Sequence, residues 1–244
     1  MKTSSYSSCV KNHFAAIAQD YNEAAIIPKE VAGRLINRLQ WMKIDPQVVL
    51  DVGCGCGDSM LQLEKHFPKS TVVGIDLTHS MLIRSEEGQS CICADALSLP
   101  LRKQSVDIIF ANFLLPWCEA SSQLFLEFKR VLKPGGLLLF STLGPDSLKE
   151  IQADLQFIDM HTIGDMLVET GFNETVMDVE HLILHYQNIS QVMLDLKNQG
   201  FDCLYNNKIH LALSLANLTF EIIYGHAWKP FSVNIPINEL VRPS

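Results

Sequence analysis

The sequence predicts an α/β protein, a doubly wound and mostly parallel sheet with helices on both faces. Three observations carry this. Short apolar runs rich in β-branched residues recur at Val48–Leu50, Thr71–Ile75, Ser90–Cys93, Ser105–Ala111 and Leu137–Ser141. Such runs read as buried parallel strands. Helical patterns separate most of them, and that alternation gives a parallel sheet with right-handed crossovers. Finally, the first run ends in Asp51 and then places glycine at every second position, Gly53, Gly55 and Gly57, ahead of a helical pattern.

That first unit organises the chain. Without Cβ, glycine lets the chain turn sharply and lets backbone amides come close to a ligand. Asp58 and Ser59 are expected N-caps for the helix that Met60, Leu61 and Leu63 begin. A dinucleotide site prefers Gly-x-Gly-x-x-Gly, with the pyrophosphate on the helix N-terminus. Here the spacing is Asp-x-Gly-x-Gly-x-Gly. The Asp51 carboxylate repels a pyrophosphate and suits an ammonium group. S-adenosylmethionine offers an amino-acid end and a sulfonium, and no phosphate. From this loop to Ser141 the chain resembles the class I S-adenosylmethionine-dependent methyltransferases. The resemblance implies a Rossmann-like sheet of seven strands and S-adenosylmethionine as the methyl donor.

Residues 1–46 read as helical. Phe14, Ile17, Ala18 and Tyr21 share one helix face. After Pro28, a second face holds Ile27, Val31, Leu35, Ile36 and Leu39, with Lys29, Arg34 and Arg38 opposite. This stretch is either a packed helix with a solvated basic side or a lid whose basic side meets an acidic partner. The second strand ends in Asp76, followed by Leu77, about 20 residues past the loop, where an acidic residue accepts hydrogen bonds from ribose hydroxyls. Asp76 also suits a cap for the helix from Thr78 through Ser80-Met81-Leu82. In the family pattern the Ala94-Asp95-Ala96 turn lies beside the adenine, with Asp95 accepting from the exocyclic amine and the Ala96 amide donating to a ring nitrogen. Asn112 and Phe113 stand at the C-terminal end of the fourth strand, the edge that faces the ligand crevice. Leu114 to Trp117 continue an apolar wall. Leu124–Leu132 is an amphipathic helix, which Lys133-Pro134-Gly135-Gly136 is expected to break. Helix, Lys-Pro-Gly-Gly, strand is a further methyltransferase landmark.

Composition narrows the partners. The 244 residues suit one domain with decorations, and the net charge of −8 argues against nonspecific nucleic-acid binding. The seven cysteines include Cys54/Cys56 and Cys91/Cys93, whose Cys-x-Cys spacing does not suit zinc. Reduced, buried thiols in a cytoplasmic protein and no metal are the expectation. The N-terminus lacks the apolar core of a signal peptide, and no run reaches the ~20 apolar residues of a membrane span.

The remainder specifies the acceptor. It contains Thr142-Leu143, then Phe157-Ile158-Asp159-Met160-His161, and a helix over Ile163–Leu167 ending before Gly171. A strand over Val176–Glu180, a helix over Ser190–Asn198 and a strand over Leu218–Tyr224 lead into Gly225-His226-Ala227-Trp228. With the Phe14 to Tyr21 helix and the Asn112 to Cys118 segment, this assembly is similar to the malonyl-acyl-carrier-protein O-methyltransferases of biotin synthesis. Gly200–Asn217 is shorter than the basic insertion usual in that family. The Phe-Ile-Asp-Met-His element also occurs in a complex I assembly factor that hydroxylates an arginine. A noncatalytic binding protein that keeps the fold is the alternative of another class.

The resemblance implies a division into a helical lid or substrate region over 1–46, a donor-binding core over 47–141, and a substrate-specifying part over 142–244 that completes the sheet. It implies methyl transfer to the free carboxylate of a malonyl thioester, carried by acyl-carrier protein or coenzyme A, giving the methyl ester that primes pimeloyl synthesis. An ionised carboxylate needs no general base. Positioning then falls to Tyr21 and Trp117, which could close the pocket. The acceptor's cation is sought among His161, His226, Arg84 and Lys149.

Overall fold

The computed structural model describes residues 3–152, 155–201, 210–211 and 217–231. Helices α1 (Thr3–Ile17), α2 (Tyr21–Ala24) and α3 (Ile26–Asn37) precede the sheet. Then come β1 (Val48–Val52), α4 (Asp58–His66), β2 (Thr71–Asp76), α5 (His79–Leu82), β3 (Ser90–Cys93) and β4 (Val106–Asn112). A 3-10 turn at Leu115–Trp117 leads to α6 (Ser121–Val131) and β5 (Leu132–Leu143). After β6 (Ile151–Gln152), the chain forms α7 (Met160–Thr170), β7 (Asn173–His185), α8 (Ile189–Asn198), β8 (His210–Leu211) and β9 (Asn217–Trp228).

The main sheet has seven strands in the order β3-β2-β1-β4-β5-β9-β7. Strands β1 to β5 are parallel, and β9 runs antiparallel to both of its neighbours. The strand order reverses on either side of β1, between β2 and β4. Open sheets bind ligands at the carboxyl ends of strands at such a switch point. Alternation along each strand feeds two cores. Val49, Ile108, Phe110 and Leu139 pack under α3 and α4 through Val31, Leu35, Met60 and Leu63. Leu50, Ile109, Leu138 and Phe140 pack on the other face against Leu124, Phe125 and Phe128 of α6 and Ile163 and Leu167 of α7. Among the described residues, no helix is long and apolar enough to cross a membrane.

Several local expectations change. Tyr21 does not continue the helix of Phe14: α1 stops at Ile17, and Tyr21 opens α2 after a turn. The stretch 1–46 divides, because α1 and α2 lie over the carboxyl edge while α3 is a core helix of the sheet. Asp58 and Ser59 are not N-caps. Gly57, at φ +85°, takes that position, and the Ser59 hydroxyl donates instead to Asp51 at 2.5 Å. Lys133–Gly136 does not stand between helix and strand. It bulges within β5, whose register on β4 shifts between Val106 and Ile108. Gly135 and Gly136 exchange backbone hydrogen bonds with Lys229 there, at 2.8 and 2.9 Å. The strands β7 and β9 run longer than their apolar cores, because cross-strand pairing carries them through polar positions. Most of the shortened stretch 200–217 lies outside the described residues.

The basic side of α3 neither points freely to solvent nor waits for a partner. Arg38 makes a two-pronged pair with Asp178 of β7 at 2.8 and 2.9 Å, and Arg34 pairs with Glu180. Lys29 lies 3.3 Å from Asp58. The two arginine contacts strap α3 and the 3-10 turn that follows it, Arg38–Trp41, to the edge strand β7, while the Lys29 contact joins α3 to α4.

Candidate active site

The glycine loop is shaped by backbone that only glycine adopts at low cost. Gly53, Gly55 and Gly57 have φ of +78°, +54° and +85°. A Cβ costs about 1 kcal/mol or more in that region. At Gly57 it would also strike the Gln89 amide, whose nitrogen donates to the Gly57 carbonyl at 3.1 Å. The loop is pinned to β2, since the amides of Gly53 and Cys54 donate to the Ile75 carbonyl at 2.7 and 3.1 Å. Gly55 lies against the Tyr21 ring and the end of Met81, so the floor of the cavity is a bare backbone facing an aromatic.

Besides Asp58, three aspartates at or just past strand ends stand at this crevice. Asp51, at the end of β1, is almost fully enclosed. Burial pushes its carboxyl up to about 7, against the hydrogen bond from Ser59. Asp76 lines the cavity with its oxygens on the amides of Gly55 and Thr78, at 3.0 and 2.7 Å. Burial raises its pKa too, and those hydrogen bonds oppose the rise. Asp95 receives the Leu97 amide at 2.9 Å, which fixes the turn that presents Asp95 and Ala96 to the cavity. Leu77 lines it beside Asp76. Of the residues expected to hold the donor, Gly53, Gly55, Asp76, Leu77, Asp95, Ala96, Asn112 and Phe113 line the cavity. Asp51 and Gly57 support it from behind.

Asn112 and Phe113 form a junction that periodicity did not reveal. The Ser141 hydroxyl donates to the Asn112 side-chain oxygen at 2.7 Å, and the Asn112 amide donates to the Pro28 carbonyl at 2.9 Å. Phe113, at φ +53°, donates its amide to Ser141. This relay joins β5, β4 and α3, and it costs local strain of about 1–3 kcal/mol at a non-glycine residue.

The roof is aromatic. Phe14 of α1 meets Trp117 at 5.0 Å between ring centroids and Tyr21 at 5.9 Å, both edge-to-face. Burial first, and then nearby acids led by Asp76, push the Tyr21 phenol well above its usual range, so it stays neutral. Tyr21 and Trp117 both line the cavity. The expected cations do not. His161, whose side chain is 87% exposed, follows Asp159, which caps α7 by accepting from the amides of His161 and Thr162. His226 lies on β9, where burial and then Arg38 lower its pKa. Arg84 and Lys149 are exposed. None of the four lines the cavity. Lys29 is the basic residue that does, among the described residues. Its amphipathic position on α3 concealed that role, because a charge on a helix face usually means solvent.

Cys54 and Cys56 pack in different surroundings. Cys54 turns into the core beneath Gly74, while Cys56 packs with Ala18 and Met81. Away from the cavity, Asp146, His181 and Glu221 bring potential donor atoms within 4.8 Å of one another at the far edge of the sheet.

A family model described as methyltransferase domain matches residues 50–140. A malonyl-(acyl-carrier protein) O-methyltransferase from Methylovorus sp. is 37% identical, over 91% of this chain and 88% of its own. A protein of the same name from Coxiella burnetii is 35% identical, over 96% of this chain and 95% of its own. Solved structures share the fold. An S-adenosylmethionine-dependent methyltransferase from Thermotoga maritima superposes with a TM-score of 0.61 at 15% identity, over 90% of this chain and 99% of its own. The cyclase SpnF superposes at 0.60 with 19% identity, over 84% and 81%. Fold alone therefore does not choose the reaction.

Proposed function

The chain belongs to the malonyl-(acyl-carrier protein) O-methyltransferases, and from that premise we propose that it methylates the free carboxylate of a malonyl thioester, with S-adenosylmethionine as donor. The observation that carries the donor assignment is the chemistry of the cavity. Acidic groups crowd the glycine loop, and the one lining lysine is already beside Asp58. That set repels phosphates and fits an amino-acid end with a sulfonium. When bound, the donor supplies a methyl group on a positively charged sulfur.

Each residue then has a task. The glycine loop, which Asp51 supports from behind, holds the ammonium end, with Lys29 facing the donor's own carboxylate. Asp76 accepts from the ribose hydroxyls, and Asp95 and Ala96 read the adenine edge. Phe113, Leu114 and Trp117 form an apolar wall for the acceptor, and Tyr21 closes the site as a neutral phenol. The acceptor oxygen forms the new bond to carbon in line with the bond that breaks, so alignment supplies most of the rate. Well-oriented reactants can gain ~7–11 kcal/mol this way. The absence of a second lining cation, among the described residues, supports the same reading. A cation on the attacking oxygen, worth ~4 kcal/mol at 4 Å and an effective dielectric of 20, would hold the charged ground state. A dry wall favours the step in which the charges cancel.

The product is a methyl ester, which supports a role ahead of enzymes that elongate uncharged acyl chains, as in biotin synthesis. Incubation with labelled S-adenosylmethionine and malonyl-carrier protein tests the proposal. A base-labile methyl ester on the carrier is the expected product. Tight uptake of S-adenosylhomocysteine without any ester would overturn it.

A further inference from the structure

A second cavity adjoins the first, and the two share Cys118 and Glu119. It opens between the turn after β4, the end of β5 and the segment before α7. The Tyr6 hydroxyl of α1 donates to the Pro116 carbonyl at 3.1 Å, which holds the first helix beside it. Three separate stretches converge here, and most of their residues lie outside the first cavity: Pro116 and Cys118, then Thr142-Leu143, then Phe157-Ile158. The fold explains the meeting. Strand β5 continues to Leu143 and delivers Thr142 to the rim. The Asp159 cap starts α7 late enough that Phe157 and Ile158 remain outside the helix. Phe157 packs on one core and Ile158 on the other, so the segment straddles the sheet.

The lining is specific about charge. It mixes the hydroxyl residues Ser121 and Thr142 and the Gln156 amide with Leu143, Leu155 and Phe157. Among the described lining residues there is no lysine, arginine or histidine, and the single acid, Glu119, sits at the junction of the two cavities. Burial pushes the Cys118 thiol up to about 12, so the junction carries no thiolate. A phosphate, a nucleotide or a free acid finds no counter-charge in such a cavity. An uncharged chain with amides and branched apolar carbon finds both partners.

We propose that this cavity takes the amide-bearing arm that joins a malonyl thioester to its carrier, with Gln156 and Phe157 setting the preference for a long-armed acceptor. This rests on the methyl-transfer reading above. It assigns the Phe-Ile-Asp-Met-His stretch a role in substrate choice through Phe157 and Ile158, and not through His161.

The test compares two acceptors on the full chain: malonyl-carrier protein, with the complete arm, and malonyl-N-acetylcysteamine, with a truncated one. Gln156→Trp narrows the exposed mouth of the cavity, and Phe157→Ala removes a wall. Each is first shown to bind S-adenosylhomocysteine as the parent does. For both variants KM for the carrier substrate is expected to rise about tenfold or more, while kcat/KM for the short thioester stays within about twofold. Equal losses with both acceptors, or no loss with either, overturn the arm assignment. A parent protein that binds S-adenosylhomocysteine yet esterifies neither thioester removes the methyl-transfer reading, and the arm assignment falls with it.

Discussion

Asp76 carries two backbone amides on its two oxygens, so its removal does two things at once. Asp76→Ala takes away the proposed ribose acceptor and also frees Gly55. Asp76→Asn keeps most of the shape and loses the charge. Hydrogen bonds to a charged group are worth about 1.5–3 kcal/mol each. Titration calorimetry with S-adenosylhomocysteine is therefore expected to show at least a tenfold loss for Asp76→Asn and a hundredfold or greater loss for Asp76→Ala. Unchanged affinity in both removes the ribose role. Asp51 makes a prediction in pH. Its folded pKa, about 7, lies above the ordinary 3.8, because burial disfavours the charge. The folded state therefore holds this proton more tightly than the unfolded chain. Its contribution to stability is full below pH 4 and is lost as pH rises through 7. The fall in melting temperature between pH 5 and pH 8 is expected to shrink in Asp51→Asn, measured without ligand. A parallel fall in both proteins would place the titration elsewhere.

At the scale of elements, the α3–β7 straps and the β5–β9 pairing account for features that look like site chemistry in the chain. Arg38 pairs with Asp178 and lies 4.2 Å over the Tyr224 ring. A half-exposed pair contributes about 0–1 kcal/mol, and the ring contact about 0.5–1 more. Arg38→Ala is expected to lower the melting temperature by about 2–4 °C while methyl transfer holds. A loss of turnover at full stability would instead return this patch to the site. The Tyr-Gly-His-Ala-Trp ending has a packing explanation. Tyr224 and Ala227 are enclosed in the core, and the Phe140 ring occupies the space where Gly225 would carry a Cβ. Gly225→Ala forces those two strands or that ring to move, an overpacking cost of about 1–3 kcal/mol. Denaturant melts check this, with cofactor affinity unchanged in whatever fraction folds. The cross-strand neighbours explain why His226, in the middle of that ending, faces Arg38 and Asp178 and not the cavity.

Across the whole molecule, an aromatic chain connects α1 to β9, near the far end of the sheet. Phe14, Trp117, Phe201 and Phe220 follow one another at centroid distances of 5.0 to 6.0 Å. Gly200, at φ +90°, passes so close to Phe14 that a Cβ would lie 2.8 Å from the ring. Removing Phe14 unseats the roof from three directions. Each aromatic pair is worth about 0.5–1.5 kcal/mol beyond the area it buries. Phe14→Ala is expected to weaken S-adenosylhomocysteine about tenfold and to cost only a few degrees of stability, read by calorimetry and thermal melts. A variant that binds as the parent does would show that α1 is no lid.

What the chain determined by itself is local and periodic. The β-branched runs, the glycines that only left-handed backbone explains, and Asp76 at the end of its strand all depend on neighbours a few residues away. They placed the parallel sheet, the crevice and most of the residues that line it without reference to the rest. Tertiary structure alone decided the long-range matters. It turned Ser59 from a cap into a partner of Asp51, and it spent Arg34 and Arg38 on β7. It sent His161 to solvent and brought Lys29 to the cavity wall. Phe157 and Ile158 reached Thr142 only through the packing of α7 and the length of β5. The reason is physical. A side chain's direction follows from its own element, but what it meets is set by the element packed against it, and single-chain periodicity carries no record of that neighbour.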